Sequence, residues 1–246
     1  MDLISVIIPF YKKKIFIKKT IDSVLNQTHD NFEIIIIYDD PEKRDLEYLK
    51  NLFGENKKIK IVINNKNLGA GLSRNIGIDQ SKGDYIGFLD ADDIWHKSKV
   101  QTQITFMKKN DFKISHTSYK IIDQNDKFKS IRNARNFYNF KDLLKSCDIG
   151  LSTVILHKSI ITEELRFPNL KTKEDFVFWL KILRSGIHIG AVDEYLTNWR
   201  KTKNSLSSSI LQKLLDGYRV YRNYMKYNRF KSFYLLICLS FNFLKK

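Results

Sequence analysis

Between Gly83 and Trp95 the chain reads GDYIGFLDADDIW, an apolar run that ends in three aspartates within four positions: Asp90, Asp92 and Asp93. Carboxylates this close repel one another unless a positive charge lies among them. Residues two apart on an extended stretch point the same way, so Asp90 and Asp92 should converge on one point. A hard divalent cation such as Mg²⁺ or Mn²⁺ would relieve their repulsion there. The same residue types also serve as a solvated turn or a helix cap, and a lone D-x-D does not separate the two uses.

Other groups share this potential. Asp39 and Asp40 close a second apolar run, FEIIIIYDD. In NLGAGLSRNIG, Gly69 and Gly71 mimic a dinucleotide-binding fingerprint, but Arg74 stands where its third glycine belongs. An arginine one turn into a helix, near aspartates, suits a diphosphate better than a nicotinamide or flavin. Glu174 and Asp175 open KEDFVFWLKI; first-turn acids are favoured by the helix dipole, and one carboxylate apart from the aspartate cluster is also what activating a hydroxyl requires. Arg200 and Lys203 are basic candidates for a diphosphate contact after a late strand. His29, His96, His116, His157 and His188 show no metal-ligand spacing.

The elements that must carry these residues alternate. LISVIIPFY, FEIIIIYDD, IKIVINN and DYIGFLD read as short buried strands. Residues 14–27 and 43–53, and the segment opened by the glycine loop, read as helices between them. This alternation predicts an α/β fold with a doubly wound, mostly parallel sheet and helices on both faces. Ligands bind such sheets beyond the carboxyl ends of the strands, which places Asp39, Asp40, Asp90, Asp92 and Asp93 in one crevice. A helix over 97–109, strands over 113–122 and 151–156, a helix with Phe176, Trp179, Leu180 and Leu183 on one face, and a strand HIGAVDEYLTNW follow. The expected division is 1–206 for the main domain, with a nucleotide-binding half over 1–97 and an acceptor half over 98–206, and a basic, aromatic helical extension over 207–246.

With 246 residues, 43% of them apolar, the chain can build a large core, and disorder is not the default. A net charge of +16 points to an anionic partner, although part of it is lysine coating a solvated surface. Cys147 and Cys238 lie far apart, which argues against a disulfide scaffold or a zinc site and fits a reducing compartment. The N-terminus lacks the basic region of a signal peptide, and no apolar run reaches the roughly 20 residues that span a bilayer. FYLLICLSFNFL, Phe233 to Leu244, is nonetheless apolar at nearly every position. Arg222, Lys226, Arg229 and Lys231 precede it and Lys245 and Lys246 follow. Such a helix can lie in an anionic leaflet, or pack on the domain or on a second copy in a homodimer.

Five segments, SVIIPFY, the strand ending in Asp39, NLGAGLSRNIGI, GDYIGFLDADD and KEDFVFWLKI, occur in the order and spacing of family 2 glycosyltransferases. The chain resembles these inverting enzymes of the GT-A fold over about residues 3–200. The resemblance implies a nucleotide-sugar donor, most simply a UDP-sugar, and a metal-dependent transfer to a glycan or lipid-linked glycan of the cell surface. It implies that Pro9 and Tyr11 line the base pocket, that Asp39 contacts the base, and that Asp40, Asp90 and Ala91 complete the nucleotide site. Arg74 would approach the nucleotide, Asp92 would bind the Mn²⁺ or Mg²⁺ that bridges the diphosphate, and Asp175 would be the catalytic base. Arg200 or Lys203 would reach the diphosphate from a loop over the donor. Where relatives commonly have Asn after the tyrosine of the first strand, this chain has Lys12. The implied location is cytoplasmic, peripheral on the inner face of the membrane.

Two rival functions are weaker. A nucleotidyltransferase would want a glycine-rich loop after the first strand, and PFYKKKIF has none. A nucleic-acid-binding protein would cluster its basic residues, whereas here they are dispersed and the strand ends carry acids.

Overall fold

The computed structural model describes residues 2–202 and 209–244. Four strands, β1 (Ile4–Phe10), β2 (Phe32–Tyr38), β3 (Ile59–Ile63) and β4 (Tyr85–Phe88), alternate with α1 (Lys14–Leu25), α2 (Leu46–Phe53) and α3 (Ala70–Gln80). They pair in parallel in the order β3-β2-β1-β4, and Ile4 faces Phe32 on one side and Tyr85 on the other. A strand buried on both faces needs apolar residues at successive positions, which is why ISVIIPF and FEIIIIY read as unbroken runs. Along β1 and β2, Ile4, Val6, Ile8, Ile34, Ile36 and Tyr38 join the cluster holding Ile17, Ile21 and Leu49 of α1 and α2. Ile7, Ile35 and Ile37 face the opposite layer, which holds Ile78 of α3.

The second half is not parallel. β5 (Ile94–Trp95), α4 (Lys99–Lys109), β6 (Ile114–Asp123), β7 (Phe128–Arg132), α5 (Phe140–Leu143), β8 (Ile155–His157), α6 (Glu174–Arg184) and β9 (Gly190–Lys201) follow in the chain. The sheet continues β4-β8-β6-β9-β5, with β7 beside β6; only the β6–β9 pair in this half is parallel. The fold is therefore α/β with a mixed sheet, whose parallel half is the one expected. The strand foreseen over 151–156 is shorter, because Leu151–Thr153 forms a 3₁₀ turn ahead of β8.

The C-terminal segment forms α7 (Ile210–Arg219), a π-turn over Val220–Tyr224, and α8 (Arg229–Leu244). It shares the main core: Val220, Tyr221, Met225, Leu235 and Leu239 are buried in the same cluster as Phe176, Trp179 and Leu183 of α6. The Tyr221 hydroxyl donates to Leu144 O at 2.8 Å, and Asn242 Nδ2 donates to Lys145 O at 3.0 Å. Among the described residues no helix is long and apolar enough to cross a membrane.

Candidate functional site

The turn after β4 answers the question its three aspartates raise. Each carboxylate has its own partner. Asp90 Oδ1 accepts from Arg74 Nη2 at 2.7 Å. Asp92 Oδ2 accepts from Lys13 Nζ at 2.6 Å. Asp93, fully buried, accepts from Ser152 Oγ at 2.5 Å and from the Arg200 amide at 2.7 Å. The extended-strand reasoning about this triplet fails for a local reason. Residues 90–93 form a turn closed by Asp93 N–H to Asp90 O at 3.0 Å, so alternation does not apply. Asp90 and Asp92 still feel each other, since the charge on Asp90 raises the affinity of Asp92 for a proton, after the larger effect of burial.

Asp39 is also spoken for. Its Oδ1 accepts from Asn64 Nδ2 at 2.7 Å and Leu68 N at 2.9 Å, and its Oδ2 from Gly69 N at 2.8 Å. This buried carboxylate fixes the 64–69 loop at the mouth of the parallel strands. Gly69 stands at φ 81°, a conformation costly for any residue with a Cβ, and it turns the chain into α3. Asp40 Oδ1 accepts from Glu42 N at 3.2 Å, while its Oδ2 is buried with no hydrogen-bond partner. Pro9, at the end of β1, is half-buried, and Tyr11 just beyond it is exposed. Lys12 stands at φ 51°, the left-handed region that asparagine tolerates better than most residues.

Arg74 lies between two banks of the site. Its Nη2 binds Asp90 and its Nη1 binds Glu174 Oε1, both at 2.7 Å, and its guanidinium lies over the Phe167 ring at 5.5 Å. The arginine side chain is 3% exposed and the pair with Glu174 is shielded, while Asp90 opens to solvent. Burial pushes the Glu174 carboxyl above its ordinary value, against the pull of Arg74. Asp175 follows Glu174 at the start of α6 and accepts from Phe176 N at 2.7 Å. Burial raises the Asp175 carboxyl as well; Lys173 and Arg74 oppose this, and Asp90 adds to it. The acid at the start of α6 and the aspartates after β4 thus share one electrostatic neighbourhood, although 85 residues separate Asp90 from Asp175 in sequence.

Arg200 is buried and multiply bonded. Its Nε donates to Asp92 O at 2.7 Å, its Nη1 to Asp123 O at 3.0 Å and to Asp126 Oδ1 at 2.6 Å, and its Nη2 has no partner. It ties the end of β9 to the D-x-D turn. Lys203 lies outside the described residues. Sequence reasoning missed Lys13, Asn64, Ser152 and Asp216. Only Lys13 carried a signal, as part of the lysine run after β1.

Among the described residues no three His, Cys, Asp or Glu side chains form a cation site by themselves. The donors at the D-x-D turn are carboxylate oxygens, the hard ligands Mg²⁺ and Mn²⁺ prefer, and Asp90 keeps 34% of its side chain exposed. Each of the two carboxylates has one oxygen engaged by a basic side chain, Asp90 by Arg74 and Asp92 by Lys13, so a cation held there with phosphate and water would have to share them.

Comparison with known proteins places the chain. The family model for glycosyl transferase family 2 matches residues 5–165. Two Escherichia coli relatives, UDP-Glc:alpha-D-GlcNAc-diphosphoundecaprenol beta-1,3-glucosyltransferases WfgD and WfaP, are 33% and 32% identical to it. The matches cover 95% and 98% of this chain and 91% and 92% of theirs.

The chain belongs to glycosyl transferase family 2.

Its fold agrees. The structure of S. aureus TarS in complex with UDP-GlcNAc matches 96% of this chain and 70% of that one, with a TM-score of 0.71 at 20% identity. Within this family 2 enzyme, the β1–β4 half and α6 bring together the five motif segments read from the sequence.

Proposed function

We propose that this glycosyltransferase moves a hexose from a UDP-sugar to a hydroxyl of a diphosphate-linked lipid glycan during surface polysaccharide synthesis, with inversion at the anomeric carbon. The observation that carries the reading is the Arg74 bridge, which fastens the D-x-D aspartate Asp90 to Glu174, the residue beside Asp175. The nucleotide sugars and the lipid diphosphate named for the relatives supply the substrate classes.

In this reading Pro9 and Tyr11 flank the base, and Asp40 belongs to the nucleotide site. Asp39 holds the loop whose backbone faces the nucleotide. Asp90 and Asp92 would hold Mn²⁺ or Mg²⁺, which neutralises charge on the diphosphate. The acceptor oxygen attacks the anomeric carbon and its proton passes to Asp175. The bond from that carbon to the diphosphate oxygen breaks, and its electron pair leaves with UDP. Arg74 and Arg200 position the carboxylates and the turn rather than touching the donor.

The lipid acceptor also gives the C-terminal helices a role. Phe230, Phe233, Phe241 and Phe243 of α8, with Ile210 and Leu211 of α7, are exposed, and Phe230 reaches 90% exposure. Leu214, Phe233, Leu236, Ile237, Ser240 and Phe241 line a groove of about 310 Å³ between the two helices. Asp216, the only acid from residue 209 to the end, is buried, while eight Lys and Arg residues share that stretch. An apolar face set among cations suits an anionic membrane surface. The whole reading is tested by thermal shift: UDP with Mn²⁺ should raise the melting temperature of the wild type more than UDP alone, and much less so in Asp92→Asn. Equal shifts with and without the cation would remove the metal from the site.

A further inference from the structure

We propose that Asp216, on the C-terminal helix α7, is a positioning residue for the catalytic base: it clamps Thr172 and thereby sets the turn that aims Asp175. This rests on the reading of Asp175 as the base.

Asp216 is fully buried. Its Oδ2 accepts from Thr172 N at 3.1 Å, Thr172 Oγ1 at 3.0 Å and Gln212 Nε2 at 2.8 Å, and its Oδ1 accepts from Arg219 Nη1 at 3.0 Å. Burying a carboxylate carries a desolvation cost even when its oxygens are hydrogen-bonded, and an apolar residue would staple a helix to a core at lower cost. The turn after α7 buries Val220, Tyr221 and Met225, whereas α7 itself buries only Asp216 and Gly217, so the carboxylate also seats the helix. What the carboxylate adds is a grip on one backbone amide and one hydroxyl, at the residue three positions before Asp175.

The next residue shows why a grip is useful. Lys173 caps α6 in the left-handed region at φ 66°, a conformation unfavourable for a residue with a Cβ. The chain relaxes from it unless both sides are held. On the helix side, Val177 N–H donates to Lys173 O at 3.1 Å. On the other side the hold is Asp216 on Thr172. The left-handed turn then presents Glu174 to Arg74 and Asp175 to the site. The C-terminal segment thus contributes to the catalytic loop, and the helix pair with the apolar surface also holds the base.

The test uses the full chain with Asp216→Ala and Thr172→Val, and two readouts. Hydrogen–deuterium exchange over residues 172–176 should quicken in Asp216→Ala while the 64–69 loop keeps its protection. Transfer from UDP-glucose to a GlcNAc-diphospho-lipid should fall in kcat on the order of 10²-fold, the cost of a base displaced by about 1 Å, with UDP affinity unchanged. The double variant should be no slower than Asp216→Ala alone, because both act through one clamp. Unchanged exchange at 172–176, or a kcat loss matched by an equal loss of UDP binding, would overturn the proposal. If Asp216→Ala does not fold, Thr172→Val decides: lowered kcat at unchanged UDP affinity and melting temperature supports the clamp, and wild-type kcat overturns it. Wild-type protein that transfers nothing would defeat the reading of function, while the exchange measurement would still report on the clamp.

Discussion

Arg74 is the residue on which the site's charges balance. It is itself shielded, as is Glu174, while Asp90 is 34% exposed, so its removal leaves chiefly the Glu174 carboxylate without a counter-charge. Arg74→Ala should cost about 3–5 kcal/mol of stability, read as a lowered urea midpoint, because breaking a buried pair strands the partners. A variant as stable as wild type would mean the two acids find other partners. Asp175 sets a pH limit. Its carboxyl is raised by burial above the ordinary range, and only the carboxylate can take a proton from the acceptor. The acid limb of kcat/KM should therefore sit above the ordinary aspartate pKa, with activity lost as pH falls through the raised value. Lys173 pulls the other way, so Lys173→Met should move that limb to higher pH. A limb that stays put in Lys173→Met would separate it from Asp175. At this scale the sequence showed residue types well and partners poorly. Asp90, Asp92 and Asp175 stood out, yet nothing in DADD indicates that a turn sends one carboxylate to α3 and the next to Lys13. Lys12 and Lys173 adopt left-handed backbone without the glycine or asparagine that advertises it.

Helix α3 has to come close to the loop carrying the base, and Gly71 allows it. A Cβ on Gly71 would lie 2.8 Å from Pro168 O and 3.1 Å from Glu174 Cγ. Gly71→Ala should push these apart, at a cost of about 1–3 kcal/mol, and lower kcat more than UDP affinity. Unchanged melting and kcat would show that the loop can give way freely. Elements whose burial is continuous were legible before the structure: β1, β2 and β4 are apolar runs buried on both faces, and α6 repeats its large residues at helical spacing, whereas β3, read as a buried strand, is only half-buried at the end of the sheet. β5 is two residues long and β7, FKSIR, is largely exposed at the sheet edge, so neither carries the apolar signal of a buried strand. The antiparallel pairing of β8 depends on contacts distant in sequence, which period and composition do not encode.

The molecule as a whole joins a parallel half to a mixed half, and a C-terminal helix pair packs against α6 and the segments beside it. Composition marks 207–246 as a helical extension, and the described part of it, 209–244, forms helices that meet the main core through Asp216 with Thr172 and Tyr221 with Leu144, pairings 44 and 77 residues apart. The outer side of that pair carries the membrane proposal. Phe233→Glu with Phe241→Glu should lower flotation with vesicles containing anionic lipid while leaving the melting temperature near that of wild type, since both side chains are exposed. Wild-type binding should weaken at high salt, because screening reduces the lysine and arginine attraction. Undiminished flotation of the double variant would move the contact elsewhere.

The most direct test of the account is the transfer rate of Asp175→Asn at saturating UDP-glucose, with a GlcNAc-diphospho-lipid acceptor and Mn²⁺. The substitution keeps the shape of the side chain and removes its capacity to take a proton. The account predicts a fall in kcat on the order of 10²–10⁴-fold, with UDP affinity unchanged. Transfer at the wild-type rate would contradict it.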